Sequence, residues 1–181
     1  MDILEKVVET EMLGRDFLVW IWFKSEINGG IIDLKDGEQA EIHFDGKITL
    51  QSEGDESVEK VVCTGINARL REARFALSEY KKVTEASIKL VIGDEEWFFA
   101  LDSAWMNFKS FKTPKVEQDD DDPDGLFYEK IGLLETAVKQ VDAIYEAYIK
   151  LRVSDEWKER ELPAIRRWVA EMTRKTGKDI Q

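Results

Sequence analysis

One cysteine, one histidine and three prolines are spread over 181 residues. The single thiol, Cys63, excludes an internal disulfide framework and fits a reducing compartment. It sits beside Val61 and Val62 in an apolar strand, the setting of a small core residue rather than of a nucleophile. His43 has no His, Cys or carboxylate partner at ligand spacing and reads as a surface histidine on the polar side of a strand. Gly-rich phosphate loops, nucleophile elbows and paired-carboxylate motifs are all missing, so neither an enzyme nor a bound cofactor is expected. The longest large-apolar run, residues 17–23, falls far short of the ~20 residues a membrane helix needs. The opening Met1-Asp2-Ile3-Leu4-Glu5 is acidic where a signal peptide is basic. A soluble cytoplasmic chain with no membrane partner is expected.

Positive charge is also scarce: 26 Lys plus Arg against 38 Asp plus Glu, a formal charge of -12. Such a chain is repelled by phosphate, so any nucleic-acid contact needs a local basic face. With 43% hydrophobic residues it is long enough for one full core and short for two.

The most informative stretch present is Phe17-Leu18-Val19-Trp20-Ile21-Trp22-Phe23. It offers no solvent face as helix or strand, so it must be buried on nearly all sides. Residues 3–26 read as one helix, amphipathic first and buried second, with Gly14 marking a kink or a close approach and Asn28-Gly29-Gly30 as its stop. Strands follow at 31–34, 39–44 and 47–51, separated by Lys35-Asp36-Gly37 and by Asp45-Gly46, a strong hairpin signal. A fourth strand covers 58–64. Ile66, Leu70, Ala73 and Leu77 form one apolar stripe of a helix over 66–82. Strands 86–92 and 96–101 make a hairpin, and 106–112 alternates Met106, Phe108 and Ser110 against Asn107, Lys109 and Phe111.

Residues 116–125 form an acidic linker. Asp120, Asp122, Asp124 and Gly125 match the first half of a calcium loop, but its twelfth position falls on Ile131, where a bidentate Glu is needed. Acids at the positive end of the next helix account for the same residues, so no metal is assigned. The helix over 126–152 carries Phe127, Ile131, Leu134, Val138, Val141, Tyr145 and Tyr148 at strict 4-3 spacing. Ser154-Asp155 caps a second helix with Trp157, Ile165, Trp168, Val169 and Met172 as its stripe, and Pro163 marks a kink or a restart.

Two basic clusters stand against the acidic background: Arg69, Arg71, Arg74, Lys81 and Lys82, and Lys158, Arg160, Arg166, Arg167, Arg174, Lys175 and Lys178. A phosphate-contacting surface is one reading, with Arg69, Arg71, Arg74, Lys81, Lys82, Lys158, Arg166, Arg167, Arg174 and Lys175 as the DNA contacts. A solvated helix face interlaced with Glu156, Glu159, Glu161 and Glu171 is the other.

Residues 13–26 with Gly29-Gly30, then Val61-Val62-Cys63-Thr64-Gly65, the Arg-rich helix, Glu96-Trp97-Phe98-Phe99 and Leu134-Glu135-Thr136-Ala137-Val138 occur in an order that resembles recombination-associated proteins of the RdgC type. The resemblance covers most of this chain and the C-terminal portion of that family. It implies a non-enzymatic bacterial protein that dimerises, binds duplex DNA without sequence preference and restrains recombinase activity.

The expected fold is α+β: an antiparallel sheet of six to seven short strands with packed helices and a C-terminal helical hairpin. Residues 1–115 form the core domain, 116–125 the linker and 126–181 the hairpin. The expected function is that of a DNA-associated accessory protein of recombination or genome maintenance, partnered by duplex DNA or a recombination protein. The alternative is an acidic protein-interaction module whose C-terminal helices dock a partner. A homodimer is expected through Tyr145, Tyr148, Trp157 and Trp168, the two Trp being left partly exposed because Pro163 interrupts the second stripe.

Overall fold

The computed structural model describes residues 3–52, 59–65, 70–116 and 123–176. In chain order these form α1 (Ile3–Ile27), β1 (Ile31–Asp33), β2 (Gln39–Gln51), β3 (Lys60–Thr64), α2 (Leu70–Ser78), β4 (Lys82–Ile92), β5 (Glu95–Asp102), β6 (Phe108–Lys112), α3 (Pro123–Arg152) and α4 (Leu162–Thr176). The fold is α+β with a six-stranded antiparallel sheet and a C-terminal helical hairpin. β4 lies between β2 and β5, with β6 beyond β5. The other side of β2 is shared: β1 pairs with its first half and β3 with its second.

Period-two alternation turns Ala40, Ile42, Ile48 and Leu50 of β2 onto one face with Val83, Ala86, Ile88 and Leu90 of β4 and Trp97, Phe99 and Leu101 of β5. α1 packs on that face, and its all-apolar run is buried from the other sides by the C-terminal helices. Trp22 stacks on Phe44 of β2, with ring centroids 5.7 Å apart, and meets Trp168 of α4 edge-on at 5.2 Å. Phe17 meets Tyr145 of α3 at 4.9 Å. Gly14 is required by contact: a Cβ there would lie 2.0 Å from the Ser103 carbonyl oxygen.

Several local expectations are corrected. Asp45-Gly46 is not a hairpin turn. β2 runs straight through it, and the register shifts between Phe44↔Ile88 and Ile48↔Ala86, so that three residues oppose Ser87 alone. Gly46 takes φ 83°, the left-handed freedom that makes Asp-Gly a turn signal, and here it serves a bulge instead. The two segments expected as separate strands are therefore one.

The helix expected to reach residue 82 stops at Ser78. Tyr80 adopts φ 64°, and the Lys81 and Tyr80 amides donate to the carbonyls of Ala76 and Leu77, both at 3.1 Å. This is a Schellman stop built without glycine, which is why composition did not mark it.

In β6 the expected alternation fails at Ser110, where φ is 53° and the pairing slips by one residue against β5. That bulge puts Phe108 and Phe111 on the same side, both against Phe99, at 4.9 and 5.5 Å. Pro163 follows a π-helical turn, Trp157–Glu161, closed by the Leu162 amide on the Trp157 carbonyl. The wider turn lets the helix continue past a residue that has no amide proton to give.

Candidate interaction surfaces

The two basic clusters have different fates. Arg74 is drawn into the fold: its Nη1 lies 2.7 Å from Glu26 Oε2, and its guanidinium stands 5.7 Å over the Trp168 ring. Lys81 Nζ lies 2.7 Å from Glu59 Oε2, and that hydrogen bond holds the Glu59 carboxyl below its ordinary pKa. Lys82 is exposed at the start of β4 rather than on a helix. Arg69 lies outside the described residues, as does the Arg71 side chain. Arg74 and Lys81 are therefore each engaged with a carboxylate, Glu26 and Glu59.

Along the π-helical turn and α4 the outcome differs. Ile165 and Trp168 turn inward with Trp157, while Lys158, Arg166 and Arg167 are exposed and make no ion pair with another described residue. Arg160 pairs with Glu156 at 3.0 Å. The side chains of Arg174 and Lys175, like all of Lys178 and the acidic linker's Asp120 and Asp122, lie outside the described residues.

The aromatic residues expected at a subunit contact are committed within one chain. Tyr148, Trp157 and Trp168 are buried, and Tyr145 is half-buried against Phe17. The π-helical turn carries the second stripe past Pro163, so the partial exposure expected for Trp157 and Trp168 does not occur. Two carboxylates complete the attachment. Trp20 of α1 donates its indole N–H to Glu161 at 2.8 Å, and Lys24 pairs with the same carboxylate. Trp168 donates to Glu26 of α1 at 3.0 Å, and Trp22 donates to the other oxygen at 2.8 Å.

The 4-3 seam of α3 divides in two. Its second half is used: Val141 and Tyr148 are buried, together with Ala137 and Ile144. Leu133 accepts the Trp97 indole N–H at 3.1 Å, while Glu146 takes Lys35, just past β1, at 2.8 Å. α3 thus crosses the sheet from β5 towards β1. Lys150 also reaches Glu146 at 2.8 Å, and the hydrogen bonds from Lys150 and Lys35 pull that carboxyl down to a pKa of about 2. The first half of the seam extends past β5 uncovered. Phe127 is 61% exposed, Tyr128 70%, Ile131 39% and Leu134 44%.

Other residues singled out in the sequence fall as follows. Cys63 is buried in β3. His43 Nε2 lies 2.7 Å from Glu41 Oε1 on the open side of the sheet. No helix among the described residues is long and apolar enough to cross a membrane. Comparison of the chain with known protein families, with curated proteins and with solved structures finds no match in any of the three.

Proposed function

We propose that this protein acts by binding a protein partner rather than by catalysis, and that the uncovered half of the α3 seam is the contact. The observation that supports this is the strip itself. Phe127, Ile131 and Leu134 stand exposed at i, i+4 and i+7, on a helix whose next turns use the same spacing to bury the core. That is the anchor pattern with which an amphipathic helix enters an apolar groove, and a solvent-facing apolar strip is costly to keep without a partner. A second copy of the chain is one partner that fits, which moves the expected dimer contact from Tyr145–Trp168 to the region around Phe127. Affinity capture from a native lysate, run with and without nuclease, tests the reading. Capture that survives nuclease supports it, and capture lost with nuclease contradicts it.

The exposed cations of α4 favour a second reading, a DNA-associated accessory protein of recombination that binds duplex DNA without sequence preference. Lys158, Arg166 and Arg167 are exposed without an ion pair to another described residue, whereas Arg74 and Lys81 are each paired with a carboxylate. Duplex-DNA gel shifts over a salt series address it directly, because phosphate binding weakens steeply as salt rises. A shift at low salt that Arg166→Ala/Arg167→Ala abolishes supports this second reading, and no shift removes it.

A further inference from the structure

The face of the sheet turned away from α1 holds a groove of about 540 Å³ between β2 and β6, within the size range of small-molecule sites. Its floor is low because the residues at its centre are small: Ser87 of β4 pairs with Ala100 of β5, and Ala100 pairs with Lys109 of β6. Phe98, one pair along β5, supplies an aromatic wall.

Two of the three register shifts of the sheet border this groove. On one side the β2 bulge sets three residues against Ser87 alone, parting the ladder above the floor. On the other side the Ser110 bulge places Lys109 opposite Ala100 and Lys112 opposite Phe98. Those two lysines are three apart and in a regular strand would point to opposite faces. Here both line the groove. Bulges of this kind re-aim side chains and are enriched next to binding sites.

On the β6 rim Lys112 is exposed with no ion pair to another described residue, while Lys109 is neutralised by Glu85 at 3.0 Å and Asp102 at 3.4 Å. The β2 rim carries Lys47, paired with Glu85 at 3.2 Å, and Asp45. Three strand spacings, about 14 Å, separate the rims. The Lys47–Glu85–Lys109 ion pairs cross that span at one end, and the end beside Phe98 and Lys112 is the one that fits a flat body with a charged group.

We propose that this groove binds a small planar aromatic anion, with its phosphate or carboxylate held at Lys112 and its ring lying over Ala100 against Phe98. The site is independent of the α3 strip and of α4. The test is titration of the isotopically labelled full chain, following backbone amide resonances. The probes are adenosine monophosphate and nicotinate, with adenosine and inorganic phosphate as the half-ligands.

The expected result is saturable shifts at Ser87, Ala100, Ser110 and Lys112 with one of the two anions, either head group satisfying the proposal. Each half-ligand is expected to bind at least about tenfold more weakly. Lys112→Glu, a change at an exposed unpaired side chain, is expected to weaken binding by at least about tenfold with an otherwise unchanged spectrum. Neither anion binding, phosphate alone binding as well as the whole probe, or indifference to Lys112→Glu would each overturn the proposal.

Discussion

Trp168 hands its indole proton to Glu26 across 142 residues of sequence, at 3.0 Å. The same carboxylate takes Trp22 and Arg74, so one side chain of α1 joins α2 and α4. Hydrogen bonds to a charged acceptor contribute about 1.5–3 kcal/mol each, and orphaned buried donors cost a similar amount. Glu26→Ala is therefore expected to lower stability by about 3 kcal/mol, with Glu26→Gln costing less because the amide oxygen still accepts one proton. Urea unfolding followed by Trp fluorescence measures both. A loss within about 0.5 kcal/mol for Glu26→Ala, the range of an ordinary surface change, contradicts the assignment.

Two helical glycines are expected to respond with opposite signs to the same substitution. Gly14→Ala drives a Cβ into the Ser103 carbonyl, and overpacking of that kind costs about 1–3 kcal/mol. Gly132 has open space where its Cβ would go, so Gly132→Ala gains helix propensity of about 0.5–1 kcal/mol. Thermal denaturation of the two variants side by side gives the answer. Matching signs would mean that α1 does not approach the β5–β6 loop as closely as described.

Tyr148 is fully buried with its hydroxyl outside hydrogen-bonding geometry, beside Asp16 and Arg152. Burial, reinforced by the Asp16 charge, pushes its phenol well above the ordinary tyrosine range. A raised acid contributes stability that is intact below its unfolded pKa of about 10 and is lost as pH climbs from there towards the folded value. Alkaline absorption titration should show a late tyrosinate phase that Tyr148→Phe removes. Since the hydroxyl has only Arg152 beside it, outside hydrogen-bonding geometry, Tyr148→Phe is expected to cost under about 1 kcal/mol, whereas Tyr148→Ala opens a cavity and costs about 3–5.

Glu146 titrates on the acid side. Its folded pKa of about 2 lies below the ordinary glutamate value of 4.5, so its contribution is present above about 4.5 and is lost as pH falls towards about 2. Carbon-13 titration of the side-chain carboxyl is expected to show the low midpoint in the native protein. In the Lys35→Met/Lys150→Met variant the midpoint should rise. An unchanged midpoint would mean that the two lysines do not hold the carboxylate in solution.

The parts of this fold legible in the sequence are those set by periodicity and by strong punctuation. The apolar run at 17–23 had to be enclosed, and it is. Asn28-Gly29-Gly30 stops α1, and strand alternation gives the buried face of β4. What escaped was left-handed backbone at non-glycine positions. Tyr80 ends α2 early, and Ser110 inverts the facing of β6, each fixed by tertiary packing rather than by local preference. The Asp-Gly step at 45–46 shows the converse, because a bulge and a hairpin turn ask the same of glycine. For the candidate surfaces, spacing revealed the α3 seam but not which half of it the core would use. That division depends on where β5 ends beneath the helix. Likewise, composition grouped Arg74 with Arg166, and only the position of Glu26 separates them.

The most direct test of the central claim compares capture by the native chain with capture by Phe127→Ser/Ile131→Ser, in nuclease-treated lysate at physiological salt. Both side chains are largely outside the core, so the variant is expected to keep the native circular dichroism spectrum and unfolding midpoint. The partner, or the second copy seen as a mass of twice 21.0 kDa by light scattering, is expected to be lost from the variant. Equal capture by the two proteins, with loss instead on Arg166→Ala/Arg167→Ala, would contradict it and place the contact on α4.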